Sequence, residues 1–305
     1  MNKVLVTGAS GFIGWHTLLP LLEAGYEVHA VSLRASEDGP DGLLWHQADL
    51  LDLECVRSLM NRVRPSHLMH FAWFVEPGKY WTSAENLRWV QASLDLVVEF
   101  ARCGGRRAAL AGTCAEYDWS AGGLCRERET PVIPATLYGA SKLAVCMLTG
   151  HATDELGINV FCGRIFFPYG PREPRERLVP SVICSLLKGE VALCTDGKQN
   201  RDFIFVDDVA AAFTLLLNSE VAGPVNIGTG IGVPIAEVVS TLARVIGRPE
   251  LLRLGALPSR HGEPTSLIAD VGILRALGFV PRHTLEEGAR AAVAWWQERL
   301  GIKPH

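Results

Sequence analysis

The chain opens on a short apolar run, Lys3 to Thr7, followed by glycines and then by Phe12, Ile13, Leu18, Leu19 and Leu22 at helical spacing up to Gly25. That order reads as a strand, a tight turn and a helix closed by a glycine. The pattern recurs, with strands predicted over Glu27 to Ser32, Leu43 to Gln47, His67 to Phe71, Arg107 to Gly112 and Asn159 to Ile165. Helices are predicted between them, over about Asp52 to Arg62, Trp81 to Cys103 and Leu137 to Leu156. Such alternation predicts an α/β fold, a doubly wound parallel sheet of about seven strands with helices on both faces.

Beyond Pro168 the regularity weakens, and Pro171 to Arg177, dense in prolines and charges, reads as a loop crossing between lobes. Later elements are shorter. Helices are predicted over about Leu178 to Lys188, Asp207 to Asn218, Pro234 to Ile246 and Leu285 to Leu300, and strands near Val191 to Cys194, Phe203 to Val206 and Val225 to Ile227. The expected division is a larger domain over 1–170 and a smaller α/β lobe over 171–305, interleaved because 203–228 returns to the first. There is no internal repeat.

Composition narrows the class. Of 305 residues, 48% are hydrophobic and 20% charged, which excludes global disorder. Lys and Arg number 29 against 33 Asp and Glu, a net −4, so nothing favours nucleic acid as a partner. No apolar run reaches membrane-spanning length, and the N-terminal residues lack the signature of a secretory signal, so a cytoplasmic location with no membrane partner is expected. The eight cysteines show no C-x-x-C and the nine histidines no H-E-x-x-H. Reduced, mostly packed thiols and no metal site are the expectation.

Gly8, Gly11 and Gly14 fall at the first strand-to-helix turn. Without side chains there, backbone N–H groups and the helix N-terminus can approach a pyrophosphate, as in a Rossmann-like dinucleotide site. Ser10, Phe12 and Ile13 belong to the same turn. The second strand ends Val31-Ser32-Leu33-Arg34, with no carboxylate for the ribose hydroxyls of NAD but a hydroxyl at Ser32 and a guanidinium at Arg34 for a 2′-phosphate. NADP is therefore expected over NAD. Tyr138 and Lys142 stand four apart on one face of a predicted helix, where a lysine lowers a phenol's pKa and lets it exchange a proton with a carbonyl or alcohol oxygen.

With these two motifs in order, the chain resembles the extended short-chain dehydrogenase/reductase family, in particular its nucleotide-sugar epimerases, dehydratases and reductases. TGASGFIG (7–14), ADL (48–50), HFAW (70–73), GTCAEYD (112–118), YGASK (138–142), RIFFPYGP (164–171), RDFIFVDDVA (201–210), VNIGTG (225–230) and PSRHGEP (258–264) follow the family's order nearly end to end. The resemblance implies that Thr113 hydrogen-bonds the reacting oxygen, Tyr138 is the acid/base, and Lys142 holds the nicotinamide ribose. It puts Asp49 and Leu50 at the adenine, and Phe71, Ala72, Trp73, Ile165 and Phe166 along the cofactor cleft. Nucleotide-diphosphate contacts fall to Leu178, Arg201, Arg260 and Glu263, with Asp202 or Asp207 as alternative structural partners for Arg201.

Departures from the family pattern matter as well. Dehydratases of the family carry an acidic pair after the hydroxyl residue, where this chain has Cys114 and Ala115. Reductases that also epimerise C3 and C5 place a cysteine two positions on, where Ala115 stands, and Cys114 is read as a small packed residue. Phe167 replaces an asparagine that meets the substrate phosphate in many members, so the sugar or phosphate pocket is altered and drier. The leading expectation is an NADPH-dependent reductase of a nucleotide-linked 4-keto-6-deoxyhexose, with an NAD-dependent nucleotide-sugar 4-epimerase as the alternative and a non-catalytic NADP sensor as a third reading. The helices near 81–103 and 137–156 are expected to build a four-helix homodimer interface through Leu87, Val90, Leu94, Val97, Leu143 and Met147.

Overall fold

In the computed structural model, which describes residues 2–34, 39–120, 122–259 and 263–302, seven parallel strands form the central sheet. They are β1 (Lys3–Thr7), β2 (Glu27–Ser32), β3 (Leu44–Gln47), β4 (His67–His70), β5 (Arg107–Thr113), β6 (Asn159–Ile165) and β7 (Gly223–Ile227). Their order is β7-β6-β5-β4-β1-β2-β3. The direction of winding reverses between β1 and β4, which opens a crevice at their carboxyl ends. The expected doubly wound α/β fold is thus present.

The alternation of side chains along β1 shows how the layers close. Val4 and Val6 join Leu18 and Leu21 of α1 (Phe12–Glu23) in one apolar core. Leu5 joins Val56 and Leu59 of α2 (Leu53–Val63), Leu96 and Phe100 of α3 (Glu85–Arg102) and Val145 of α4 (Leu137–His151) in a second core on the opposite face. All three β1 residues have no exposed area. A strand buried on both faces is apolar throughout, and each such side chain stabilises by roughly 1.5–3 kcal/mol. Caps set the helix starts: the Asp52 side chain accepts from the amides of Glu54 and Cys55, and Thr136 from that of Gly139.

Two predicted helices are shorter than expected. Turns occupy the stretch before α3, where Ser83 accepts from the Glu85 amide, and α4 breaks at Ala152 before a single turn at Thr153–Leu156. A smaller core unites α5 (Leu178–Leu187), α7 (Ile235–Ile246) and α8 (Leu285–Leu300). Between these, α6 (Val206–Leu217) packs Phe213 and Leu216 into the same core as α1 and leads to β7 in the central sheet. Phe203–Phe205 stands outside that sheet, paired with Phe167–Tyr169. A second sheet orders Val233–Pro234, Asn200–Arg201, Ser266–Ala269 and Gly123–Cys125. It lies beside the carboxyl ends of β5 and β6, and most of its strands are too short for any periodic pattern to predict.

All eight cysteines are free thiols, six of them buried. Among the described residues no helix is long and apolar enough to cross a membrane, and no group of His, Cys, Asp and Glu is arranged to hold a metal ion.

Candidate active site

A cleft of about 720 Å³ lies at the crevice, and of the described residues assigned to the site from the sequence all but Arg34 and Leu178 line it. Its floor is the glycine turn. Gly8 has φ +66°, and a Cβ there would sit 2.7 Å from the Ala72 amide nitrogen; a Cβ on Gly14 would sit 2.3 Å from the Gly8 carbonyl oxygen. Strand β4 and helix α1 therefore close on the turn only with glycine at both positions. Gly11 caps α1 without any side-chain acceptor, and the first turn carries no acidic residue. The first amides of α1 thus have no side-chain partner at the cleft, the arrangement that suits a dinucleotide's pyrophosphate.

The rest of the cofactor side is uneven. Asp49 lines the cleft while accepting from the Leu51 amide. Ser32 also lines it, but its hydroxyl donates to the carbonyl of Arg34. Arg34 itself is exposed and stands outside the cleft wall. The guanidinium expected to read a 2′-phosphate therefore does not line the cleft. Leu178, at the start of α5, also lies off the cleft wall, and Arg260 falls outside the described residues.

The reacting groups converge at the ends of β5 and α4. Tyr138 and Lys142, one helical turn apart, both line the cleft. The Tyr138 amide donates to the Trp81 carbonyl at 3.1 Å, and its ring meets those of Tyr80 and Trp81 edge-on, with centroids 4.9 and 5.6 Å away. Burial pushes the phenol above its ordinary range, while the Thr113 side chain acts the other way. Lys142 donates to the Ala111 carbonyl at 2.6 Å and lies 4.1 Å from the centre of the Trp73 ring. Burial pulls its ammonium down to about 8, against the opposing influence of Cys146 and Glu116.

The expected lowering of the phenol by Lys142 is thus corrected. The lysine is not among the groups that offset Tyr138's burial, since its ammonium is directed at a backbone carbonyl and an indole face. Cys114 is buried and its thiol is pushed well above the normal range by desolvation, which agrees with a packed side chain and excludes a thiolate.

The substrate side differs from expectation at Arg201. Its guanidinium donates to the carbonyls of Asn200 and Pro264, each at 2.9 Å, and to Glu263 at 3.2 Å. Neither Asp202 nor Asp207 is its partner. Asp202 accepts from the amides of Thr229, Gly230 and Ala269, and Asp207 pairs with His16 at 2.5 Å. Phe167 lines the cleft with the Arg201 guanidinium 5.5 Å from its ring centre, consistent with a drier wall.

Several lining residues escaped the sequence reading: Pro77, Tyr80 and Trp81 in the strap before α3, Trp119 after β5, and Glu176 and Arg177 before α5. The aromatic density of Trp73 to Trp81 is the signal that could have found the strap. Glu116, which is fully buried behind Thr113, was also passed over, although Thr113-x-x-Glu116 has the spacing of a capping box.

Comparison with known proteins agrees with this geometry. Residues 4–228 match the model of the NAD dependent epimerase/dehydratase family. The UDP-glucose 4-epimerase of Streptomyces lividans is 30% identical, with 92% of each chain covered. Among solved structures, UDP-glucose 4-epimerase from Thermotoga maritima with UDP-glucose superposes with a TM-score of 0.87 at 25% identity, covering 98% of this chain and 99% of that one. The Thermus thermophilus UDP-glucose 4-epimerase complex with NAD gives 0.83 at 28% identity, over 97% and 99%.

Proposed function

This chain belongs to the NAD-dependent epimerase/dehydratase family, and from that premise we propose that it is a nucleotide-sugar 4-epimerase that retains NAD between turnovers. The observation that carries the reaction class is the convergence of Thr113, Tyr138 and a buried Lys142 in one cleft with the glycine turn. NAD, when bound, supplies the acceptor and later the donor of a hydride. Tyr138 takes the proton from the substrate's hydroxyl oxygen as the carbon is oxidised and returns it on reduction. Thr113 is placed to hold that oxygen by a hydrogen bond, and Lys142, whose ammonium is directed at a backbone carbonyl and an indole face, would hold the nicotinamide ribose. Cys114 and Ala115 offer no acid or base for eliminating water, which disfavours a dehydratase.

The placement of Arg34 outside the cleft favours NAD, and hence the epimerase, over the NADPH-dependent reduction of a 4-keto-6-deoxyhexose. That second reading keeps one observation in its favour: Val31, Ser32 and Leu33 line the cleft with no carboxylate for the ribose hydroxyls of NAD. A non-catalytic sensor is disfavoured by the assembled trio. We further assign the chain to the cytoplasm, which its free cysteines support. A homodimer through α3 and α4 is supported by exposed Leu87, Val98, Met147 and Leu148. Val97, expected at that interface, is buried in the chain's own core.

The test is to denature the purified protein, identify the released dinucleotide, and assay the intact protein with UDP-, dTDP- and GDP-hexoses. Retained NAD with inversion at C4 and no net cofactor use is the expected result. Loss of NADPH in step with reduction of a keto-sugar nucleotide would replace the epimerase by the reductase, and neither activity would favour the sensor.

A further inference from the structure

Strand register places a glycine and two buried polar residues in a row behind the reacting groups. Gly112 of β5 lies beside Arg164 of β6, which lies beside Asn226 of β7. Into the space that a side chain at position 112 would occupy comes the carboxylate of Glu116: a Cβ on Gly112 would be 2.6 Å from its Oε1. That oxygen accepts from the Thr113 amide at 2.9 Å, while Oε2 accepts from Arg164 Nε at 2.8 Å. Glu116 has no exposed area and Arg164 is 4% exposed. Thr113 and Glu116 cap each other across the short turn Cys114–Glu116, and the Thr113 hydroxyl accepts from the Ala115 amide.

A buried ion pair of this kind gains little stability over apolar packing, so its retention calls for another reason. The reason visible here is geometric. The Thr113 hydroxyl, which lines the cleft together with Tyr138, sits on a turn whose first amide is held by one carboxylate, and that carboxylate is held by one arginine. Arg164 is fixed in turn, its guanidinium 4.6 Å from the centre of the Tyr117 ring and the Tyr117 hydroxyl donating to Asn226 at 2.8 Å.

We propose that Glu116 is a positioning residue, which through the Thr113 amide holds the Thr113 hydroxyl where it engages Tyr138, with Arg164 as its anchor. This rests on the reading of Thr113 and Tyr138 as the groups that meet the reacting oxygen. Electrostatics agree. Burial raises the Glu116 carboxyl, while Arg164 and the Thr113 amide pull it back, and its charge acts on both Tyr138 and Lys142.

The test uses Glu116→Gln and, because that variant leaves Arg164 without its counter-charge, Glu116→Asp, which keeps the charge but withdraws it by one methylene from the Thr113 amide. Each is made alone and with Thr113→Val. Alone, each is expected to lower kcat by about tenfold or more with KM within about twofold; with Thr113→Val in place the same change should cost less than about twofold. Folded variants with kcat within twofold of wild type, a loss confined to KM, or losses that add to that of Thr113→Val would overturn the proposal. Hydrogen exchange at the Thr113 amide is the readout that does not need turnover: it should quicken in Glu116→Asp. If wild-type protein converts no nucleotide sugar, the reaction class fails, and unchanged protection of that amide would separately overturn the positioning role.

Discussion

The two sides of the cleft are built by opposite means. The cofactor side is backbone: three glycines within seven residues, a helix end without a side-chain cap, and the segment after β4 pressed against the turn at Ala72. The substrate side is side-chain pairing over long separations. Arg201 reaches Glu263 and Pro264, Asp202 reaches Thr229 and Ala269, and Glu116 reaches Arg164. The difference teaches that one kind of site is specified by local spacing and tolerates almost no added atom. The other is specified by which distant residues meet, and each partner lost leaves a buried polar group unsatisfied.

The largest expected effect lies where the two sides meet. Tyr138→Phe removes one oxygen and keeps the ring that packs on Tyr80 and Trp81. Turnover should fall by about 10²–10⁴, the contribution of a positioned acid or base, while thermal stability and cofactor content stay near wild type. Turnover within tenfold of wild type would take the phenol out of the chemistry and leave the cleft a binding site only.

Next is a test of the substrate side as a built network. Asp202→Ala deprives the amides of Thr229, Gly230 and Ala269 of their acceptor in a site with no exposure. A loss of about 2–4 kcal/mol in urea unfolding is expected, with the retained dinucleotide unaffected in the folded fraction. A loss under 1 kcal/mol would mean that long-range pairing does not hold this side together.

The loop before α5 supplies a pH dependence. Burial pushes the Glu173 carboxyl up to about 7, Arg177 pulling the other way at 3.2 Å, and one of its oxygens has no partner. Between the ordinary glutamate pKa and about 7, the folded chain holds a proton that the unfolded chain has released. The stability tied to this group is therefore complete below that window and declines as pH rises through it, by roughly 3–4 kcal/mol in all. Glu173→Gln should remove this decline, read as a flatter melting temperature from pH 5 to 7. An unchanged slope would show that the carboxyl does not titrate in that window.

How far the sequence carried the fold follows the same division. Strands Lys3–Thr7, Glu27–Ser32 and Asn159–Ile165 and helix Leu285–Leu300 were readable to the residue, because each is a continuous run with its own punctuation. Asn200–Arg201 and Val233–Pro234 are two residues long and exist only because they pair, so no window of sequence could announce them. Gly8 to Gly14 was legible as a site for the same local reason. Arg201 was placed at the cleft, but its pairing with Glu263, 62 residues away, was not among the structural alternatives, since nothing nearby favours it over Asp202. Arg34 is the converse case. Its position after β2 was right for a phosphate reader, but whether a loop residue turns inward depends on chain direction, which composition does not record.

The smallest effect follows from that residue and sharpens the comparison most cheaply. Arg34 is exposed, stands off the cleft wall, and its carbonyl is taken by the Ser32 hydroxyl. If the cofactor side is specified by backbone, removing this side chain should matter little. Arg34→Ala should change the affinities for NADH and NADPH alike by no more than about 0.5 kcal/mol, the usual reach of a surface substitution. Direct titration of both dinucleotides into stripped protein measures this, and the ratio of the two constants removes any effect on the protein as a whole. A loss of about 1.4 kcal/mol or more for NADPH alone, a tenfold change in affinity, would mean that the guanidinium turns in to a 2′-phosphate. The cofactor side would then also depend on a side chain brought in from a loop, and the reductase would regain its place ahead of the epimerase.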